Sequence, residues 1–326
     1  MLFVFHTHRE IKIKLLAVFL AALVPFFIFI FYLFDLWYDT RRQLVIEENI
    51  SIARLLSVGI DKSFRTTQAI SKLLSESSIN QIMQQAEVID NKDRFKDLLT
   101  VFQENIPGLR TISVFDTTGK IIATSMDLTD EQKNITISDR PYFQKTLITH
   151  EQVRSGTLTG RFSSERIVAF ASPLVENNTV QNIAIATYNL NRLKQQMEAI
   201  IGDTKKPILL IDQDGHVAFR LFQPINDEEK FYSIATNQHV QNALQGQESV
   251  FEFETFPDMP EGTYIGFAAP IGTNAPHWVV VSMQSTKDIF SPLISLQNSM
   301  WIILLSALVF SFLLISFILR KIRIIY

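Results

Sequence analysis

Two uncharged segments of about twenty residues, one near each end, constrain the fold of this chain most. Leu15–Phe34 and Met300–Leu319 contain no charged residue. At 1.5 Å per residue, a helix of this length spans about 30 Å, the thickness of the hydrocarbon core of a bilayer. A buried core helix is the alternative, but a soluble fold seldom needs so long an uncharged stretch. The sequence therefore predicts two transmembrane helices with a folded region between them.

Basic residues at the outer flanks of both segments predict the topology. Lys12 and Lys14 precede the first segment, and Arg320 and Lys321 follow the second. Because basic residues favour the cytoplasm, both termini are predicted to be cytoplasmic, and the first segment, which lacks a cleavage site, is an uncleaved anchor. The predicted layout in the cell inner (plasma) membrane, in contact with lipid, is a tail 1–14, a transmembrane helix 15–36, an extracytoplasmic region 37–299, a transmembrane helix 300–319 and a tail 320–326.

Composition and motifs argue against several classes of function. The chain has no cysteine, which excludes disulfides and Cys-ligated zinc, and its net charge of −3 implies no nucleic-acid partner. Its six histidines are scattered, and no hydrolase or phosphate-loop motif is present, so neither an enzyme nor a cofactor is predicted. Asp212-x-Asp214-Gly215 resembles the start of a calcium loop, but Gln223 occupies the acidic twelfth position. A hairpin turn without a metal is the prediction there.

The region after the first apolar segment predicts a long helix over residues 37–90. Ile52, Leu56, Ile60 and Phe64 follow the three-and-four spacing of one buried stripe. A shorter helix is predicted at Asp93–Gln103.

After residue 108 the apolar period changes to two, and one unit occurs twice. A hairpin around Asp116 has a near copy around Asp212, about 96 residues downstream. A helical stretch and further strands follow each hairpin. The predicted helices are 142–149 and 231–244, and the predicted strands are 111–115, 120–125, 166–175, 181–189, 208–211, 216–220, 249–254, 263–270 and 277–283. The predicted fold class is α+β, with two antiparallel-sheet modules docked on the long helix.

The order of these segments resembles the double Cache sensor domains of bacterial transmembrane receptors, most closely the variant on diguanylate cyclases and sensor histidine kinases. The resemblance covers about residues 39–299. It is carried by VFDTTGKIIATS (114–125), ISDRPYFQKTL (137–147), IVAFASPLV (167–175), LLIDQDGHV (209–217) and IGFAAPIGTNAPHWVVVSM (265–283). It implies two tandem PAS-like modules, a membrane-distal one at 91–200 and a membrane-proximal one at 201–292.

The resemblance also implies a small-molecule pocket in the distal module, between its sheet and the helix after the first hairpin. A guanidinium there could hold a carboxylate through two bonds. Family members that bind amino acids have a Trp after the Arg and a carboxylate on the last strand; both are missing here, so a carboxylate without an amine is expected. The implied residues are Arg140, Tyr142 and Phe143, then Arg154, Ser155 and Arg161 in the following loop, and Thr187 on the last strand.

Alternatives to this site are open at the sequence level. Tyr142 and Phe143 could be core residues, Arg140 could bond a loop carbonyl, and the loop residues could simply be solvated.

The predicted function is an extracytoplasmic small-molecule sensor, the input module of a receptor that forms a homodimer through its long helices. Seven residues follow the second apolar segment, so no output domain is expected within this chain. Either the chain is a fragment of a longer receptor, or it contacts a separate signalling partner in the membrane or cytoplasm. The second hypothesis is a membrane-anchored scaffold that binds another envelope protein through Cache-like modules, with the pocket filled by its own side chains.

Overall fold

The computed structural model describes residues 2–75, 92–202, 206–221, 233–256, 259–260, 262–273 and 277–325. The helices are α1 (Leu2–Leu74), α2 (Lys92–Asn105), α3 (Asp130–Lys133), α4 (Pro141–Thr149), α5 (Leu190–Ile201), α6 (Gln238–Leu244) and α7 (Thr286–Ile325). The strands are β1 (Leu109–Asp116), β2 (Ile121–Thr124), β3 (Val153–Arg154), β4 (Leu158–Thr159), β5 (Arg166–Glu176), β6 (Thr179–Asn189), β7 (Ile208–Ile211), β8 (Val217–Leu221), β9 (Ser249–Glu254), β10 (Tyr264–Ile271) and β11 (Trp278–Ser285).

Helix α1 is one uninterrupted helix of 73 residues that runs through Pro25. Ala53, Leu56, Ile60 and Phe64 form its buried stripe, because residues three and four apart share one face of a helix. The predicted long helix is confirmed as far as Leu74, and it continues without a break into the N-terminal apolar segment. Its predicted end, within 76–91, lies outside the described residues.

Two antiparallel sheets follow, and they repeat one strand order. The first sheet has the order β2-β1-β6-β5-β3, with β4 also paired to β5; the second has the order β8-β7-β11-β10-β9. Here the first sheet with α2–α5 is called the distal module, and the second sheet with α6 the proximal module. The predicted repeat of hairpin, helical connection and strand pair is confirmed. Of the predicted helix 231–244, the structure has Gln238–Leu244, and residues 231–232 lie outside the described part.

Helix α5 connects the two modules and was not predicted. The side chain of Asn189 caps it by accepting hydrogen bonds from the backbone N–H groups of Asn191 (2.8 Å) and Arg192 (3.0 Å). Glu252 of β9 joins the proximal sheet to α1. Its carboxylate is half-buried and accepts hydrogen bonds from Arg42 of α1.

Both sheets pack on α1 through a single hydrophobic core. Phe64 of α1 makes edge-to-face contacts with Phe170 and Tyr188 of the distal module and with Trp278 of the proximal module, at ring-centroid distances of 5.6, 6.4 and 5.1 Å. All four rings are almost completely buried. The two modules and the helix therefore form one packed body rather than independent units.

The modules contact successive parts of α1. Val45 and Ile46 pack against the proximal module and Phe290 of α7, whereas Ile70 and Leu74 pack against the distal module. The proximal module therefore lies nearer the apolar segments of α1 and α7.

Among the described residues, one helical stretch, Thr286–Phe310 in α7, is long and apolar enough to cross a membrane; its most apolar 18-residue window has a mean hydropathy of 1.8 and no buried residue. The predicted N-terminal span 15–36 belongs to α1. Side chains up to residue 24 lie outside the described part, and from Phe26 onward most large apolar side chains of this segment are exposed. The first transmembrane helix stays a prediction.

We predict that Phe64→Ala destabilises the whole folded body, because it leaves a cavity where α1 and both sheets meet. The expected cost is about 3–5 kcal/mol, which corresponds to a fall in Tm of roughly 6–20 °C. Thermal unfolding of the full chain in detergent measures it. Ile148→Ala removes an apolar side chain that is 80% exposed and serves as the control. Equal, small shifts for both variants would contradict a shared core.

Candidate functional site

A pocket in the distal module, the distal pocket, lies between its sheet, the start of α4 and the residues after β4. The volume of the pocket is about 510 Å³ when its open mouth is included. Only about 40 Å³ of this volume is wide enough to admit the centre of a water molecule, so the interior is narrow. The lining residues are Thr111, Ser113, Phe115, Met126, Ile137, Arg140, Tyr142, Leu158, Thr159, Gly160, Arg161, Phe162, Ser163, Ile167, Ile185 and Thr187.

The floor of the distal pocket is a sheet face that carries hydroxyl groups. Thr111 and Ser113 of β1 and Thr187 of β6 point to it, because alternate residues of a strand share one face. The hydroxyls of Thr111 and Thr187 are 2.7 Å apart, and Ser113 bonds Thr124 of β2 at 2.8 Å. Thr187 was predicted as a site residue; Thr111 and Ser113 were not, although polar residues at alternate positions of a buried strand are a readable signal.

The first turn of α4 brings a cation and a phenol to the pocket. Arg140 precedes the helix as its N-cap without making a side-chain capping bond, and Pro141 occupies the first position. The guanidinium of Arg140 donates one bond, from Nη2 to the carbonyl of Thr159 at 3.1 Å. Tyr142 is buried, and burial raises the pKa of its phenol to about 12. The phenol is therefore a neutral donor and acceptor at physiological pH.

Arg161 lies across the pocket from the floor and is bound to an aspartate outside it. Its Nη1 and Nη2 donate to the two carboxylate oxygens of Asp139 at 2.8 and 2.6 Å, and Nη1 also donates to the carbonyl of Thr136 at 2.6 Å. The hydrogen bond from Arg161 acts with its charge to hold the pKa of Asp139 below the ordinary value. Asp139 was not among the predicted site residues.

Three of the seven predicted site residues lie outside this pocket. Phe143 is 1% exposed and belongs to the apolar cluster beneath α4. The hydroxyl of Ser155 donates to the carbonyl of Gly156 at 2.7 Å and accepts from the N–H of Ala169 at 2.9 Å. Arg154 lies over the ring of Phe64, 5.7 Å from its centroid, and burial lowers its pKa to about 10. The structure thus brings together Arg140, Tyr142, Arg161 and Thr187.

A wide polar cleft, the inter-module cleft, separates α4 and β3 from the β7–β8 turn of the proximal module. Arg154 and Ser155 line it, as do Asp212, Asp214 and His216 from the turn. Tyr142 and Leu158 line both this cleft and the distal pocket. The two side chains therefore form the wall between the two spaces.

Residues 155–163, here called the pocket segment, link the distal pocket directly to the proximal module. The backbone N–H of Thr157 donates to Oδ2 of Asp212 at 2.8 Å. At Gly156 a Cβ would lie 2.7 Å from Oδ2 of Asp214, so a larger residue there would require the Asp214 side chain to move. The next residues, Leu158–Ser163, line the distal pocket. The same short segment therefore contacts both the pocket interior and the second module.

The β7–β8 turn is also the group of described residues that could hold a metal ion. Asp212, Asp214 and His216 each place one ligand atom within 4.8 Å of the others. However, Oδ1 of Asp212 accepts hydrogen bonds from the backbone N–H groups of Asp214 and His216 at 3.0 and 2.9 Å. Asp116 makes the same kind of bonds in the β1–β2 turn. These bonds agree with the hairpin-turn interpretation, and we assign no metal.

The matching face of the proximal sheet is filled by its own side chains. Leu209 and Ile211 take the positions that Ser113 and Phe115 hold in the distal sheet, because β7 repeats β1. Phe251, Phe256 and Tyr264 pack over them with ring centroids 5.1 and 6.3 Å apart. Hydroxyl groups and arginines thus line the distal face, and apolar side chains cover the proximal one.

Three solved sensor domains have a similar fold. The periplasmic sensory domain of the Campylobacter jejuni chemoreceptor Tlp1 has a TM-score of 0.58 at 13% identity, covering 77% of this chain and 99% of that one. The ligand-binding domain of the Pseudomonas aeruginosa amino acid chemoreceptor PctB, solved with L-Arg, has a TM-score of 0.53 at 12% identity, covering 75% and 96%. The sensor domain of the V. cholerae histidine kinase DctB has a TM-score of 0.52 at 17% identity, covering 75% and 98%. At these identities the likeness concerns the fold alone.

A sequence search against curated proteins gave no match. The sequence profile of the Cache domain, in contrast, matches residues 38–293. The match includes both sheets and the part of α1 on which they pack, and Cache domains are extracytoplasmic sensor domains of membrane receptors. The chain belongs to the Cache domain family.

Proposed function

We propose that this chain is an extracytoplasmic small-molecule sensor, the input module of a signal-transduction receptor rather than an enzyme, and that it binds its ligand in the distal pocket. The observation that carries the proposal is the contrast between the two modules. In the distal module, hydroxyl groups of the sheet, the phenol of Tyr142 and two arginines surround a narrow pocket, whereas the equivalent proximal sheet face is packed with aromatic rings. Ligand pockets combine apolar walls with a few convergent polar groups in this way.

The proposed anchoring uses both apolar segments, with the termini in the cytoplasm. Phe27 and Phe31 of α1 contact Trp301 of α7, at ring-centroid distances of 6.2 and 5.4 Å. Tyr38 stacks on Phe290 at 4.1 Å. These contacts support paired helices that leave the folded body together, and the basic flanking residues support the orientation.

The proposed homodimer pairs the outer faces of two α1 helices. Leu44, Leu55, Val58 and Leu73 are exposed, and at 100° per residue they fall within a stripe about 60° wide. An exposed apolar stripe of this kind is typical of a helix–helix interface.

The pocket segment supports a route for the signal. A ligand that displaces Leu158 or Thr159 also acts on the adjacent Thr157, whose N–H binds Asp212 of the proximal module. Arg166 of β5 adds a second link, donating to the carbonyl of Ala218 in β8 at 3.1 Å. A ligand shifts such an equilibrium only by its difference in affinity between the two arrangements.

The scaffold function is the second candidate, and two observations favour it. The interior of the pocket is narrow, and Arg140 already bonds a backbone carbonyl. In a scaffold these features would fill the site, and another envelope protein would be the partner.

We predict that Arg140→Ala weakens ligand binding with little loss of stability. A screen of carboxylates, amino acids, amines, purines and sugars should give a compound that stabilises the full chain in detergent, by about 2.7 kcal/mol at one hundred times its Kd. In Arg140→Ala its affinity should fall about 10- to 100-fold, because charge-assisted hydrogen bonds are lost. Arg192→Ala, at an exposed arginine of α5, is the control. If no compound binds and Arg140→Ala alone lowers Tm, the scaffold function is favoured.

We predict that Asp212→Asn increases ligand affinity, by about fivefold, a typical coupling between sites. In the asparagine, the side-chain oxygen still accepts the hydrogen bonds of the turn. The NH₂ group faces the N–H of Thr157 and cannot accept its hydrogen bond, so the pocket segment is free to move outward. Asp116→Asn is the matched control, because Asp116 makes the same turn bonds within the distal module. Titration calorimetry with the screened compound measures both. Equal affinities in the two variants would rule out this route.

A further inference from the structure

We infer that the distal pocket selects a small monocarboxylate over a dicarboxylate, and that Asp139, outside the pocket, sets this preference by occupying the second arginine. The inference rests on the proposed function, since it concerns the ligand of the same pocket. It also goes further, because it assigns a specificity role to a residue that does not line the site.

The lining of the distal pocket carries few charges. Arg140 and Arg161 are the two charged side chains among the residues that line the distal pocket. Both Nη atoms of Arg161 are bound to the carboxylate of Asp139, and one of them also to the carbonyl of Thr136. This is the paired geometry in which a guanidinium binds one carboxylate. The pair is neutral. Asp139 also interacts electrostatically with Arg140, and the two arginines and this carboxylate together leave one net positive charge at the pocket.

Arg140 keeps unused hydrogen-bond donors. Among the described residues it has no carboxylate within ion-pair distance, and its one hydrogen bond goes to a carbonyl. A guanidinium has five N–H donors, so Arg140 can still bind one carboxylate through two bonds. The positive end of α4 begins beside it, without a capping side chain, and adds to the attraction for an anion.

Apart from the two arginines, the lining of the pocket is uncharged. The walls are largely apolar, with Phe115, Ile137, Leu158 and Ile185 among them. A second carboxylate placed there would lose its hydration without gaining a cation, which is strongly unfavourable. Hydroxyl groups on the floor, such as that of Thr187, can instead bond a neutral polar substituent. The narrow interior favours a short carbon chain.

The test compares acids of equal chain length. The full chain in detergent is titrated calorimetrically with unbranched monocarboxylates and dicarboxylates of two to five carbons, butyrate and succinate being the central pair. In the wild type, the best monocarboxylate should bind at least tenfold more tightly than the dicarboxylate of its length. In Asp139→Asn, which keeps the shape and frees Arg161, dicarboxylate affinity should rise about tenfold.

Two further variants test whether the gain in dicarboxylate affinity comes from Arg161. Asp130→Asn removes an exposed aspartate that pairs with Lys133 and should leave the ratio unchanged. In the double variant Asp139→Asn/Arg161→Gln, the gain in dicarboxylate affinity should disappear, because Arg161 supplies the charge for it. Tm values of all variants show whether each protein is folded.

The possible outcomes separate the inference from the proposed function. Preference for a dicarboxylate in the wild type, or an unchanged ratio in Asp139→Asn, would overturn the inference while leaving the pocket a ligand site. Binding of a non-acidic compound that is lost in Arg140→Ala would do the same. If nothing binds, neither acids nor the wider screen, both the inference and the sensor function fail.

Discussion

The packing of Phe64 against both sheets is the contact on which the rest of the structure depends. Its ring meets Phe170 and Trp278 from different modules, so neither sheet can move far on α1 without disturbing the other. Buried hydrogen bonds add to this on both sides of Phe64. Ser282 of the proximal sheet bonds Asn49 of α1 at 2.7 Å, and Ser172 of the distal sheet bonds Ser71 at 2.9 Å. The long helix is therefore the common reference for the two modules.

The sequence predicted those parts of the fold in which periodicity is repeated over several residues. The stripe of α1 and the alternation of β1, β5 and β6 are signals of this kind. Strands β3 and β4 have two residues each, too few for alternation to appear, and they form because β5 offers an edge. Helix α5 begins at Leu190, directly after its cap Asn189, and the sequence pattern places Asn189 only at the end of a predicted strand.

The positions of the site residues on strands and helices were predictable from the sequence, but the ion pair between Arg161 and Asp139 was not. Arg140, Tyr142 and Thr187 came from the family resemblance, and the structure brings them to one pocket. Arg154 lines the inter-module cleft instead of this pocket. The cleft forms only where the two modules meet, so the sequence of either module alone does not predict it. Arg161 and Asp139 are 22 residues apart in the sequence, and nothing local indicates that they form an ion pair.

The two modules share a strand order but differ in what covers the equivalent sheet face, and this difference assigns them different roles under the proposed function. A face filled by Phe251 and Tyr264 would lose well-packed apolar contacts on binding a ligand, whereas a face with hydroxyl groups and one uncompensated arginine gains contacts. The proximal module is thus suited to transmission. Its turn residue Asp212 binds the pocket segment, while its strands share the core around Phe64. Under the proposed function, a small displacement at the pocket therefore acts on a packed body that already contacts α1 and α7.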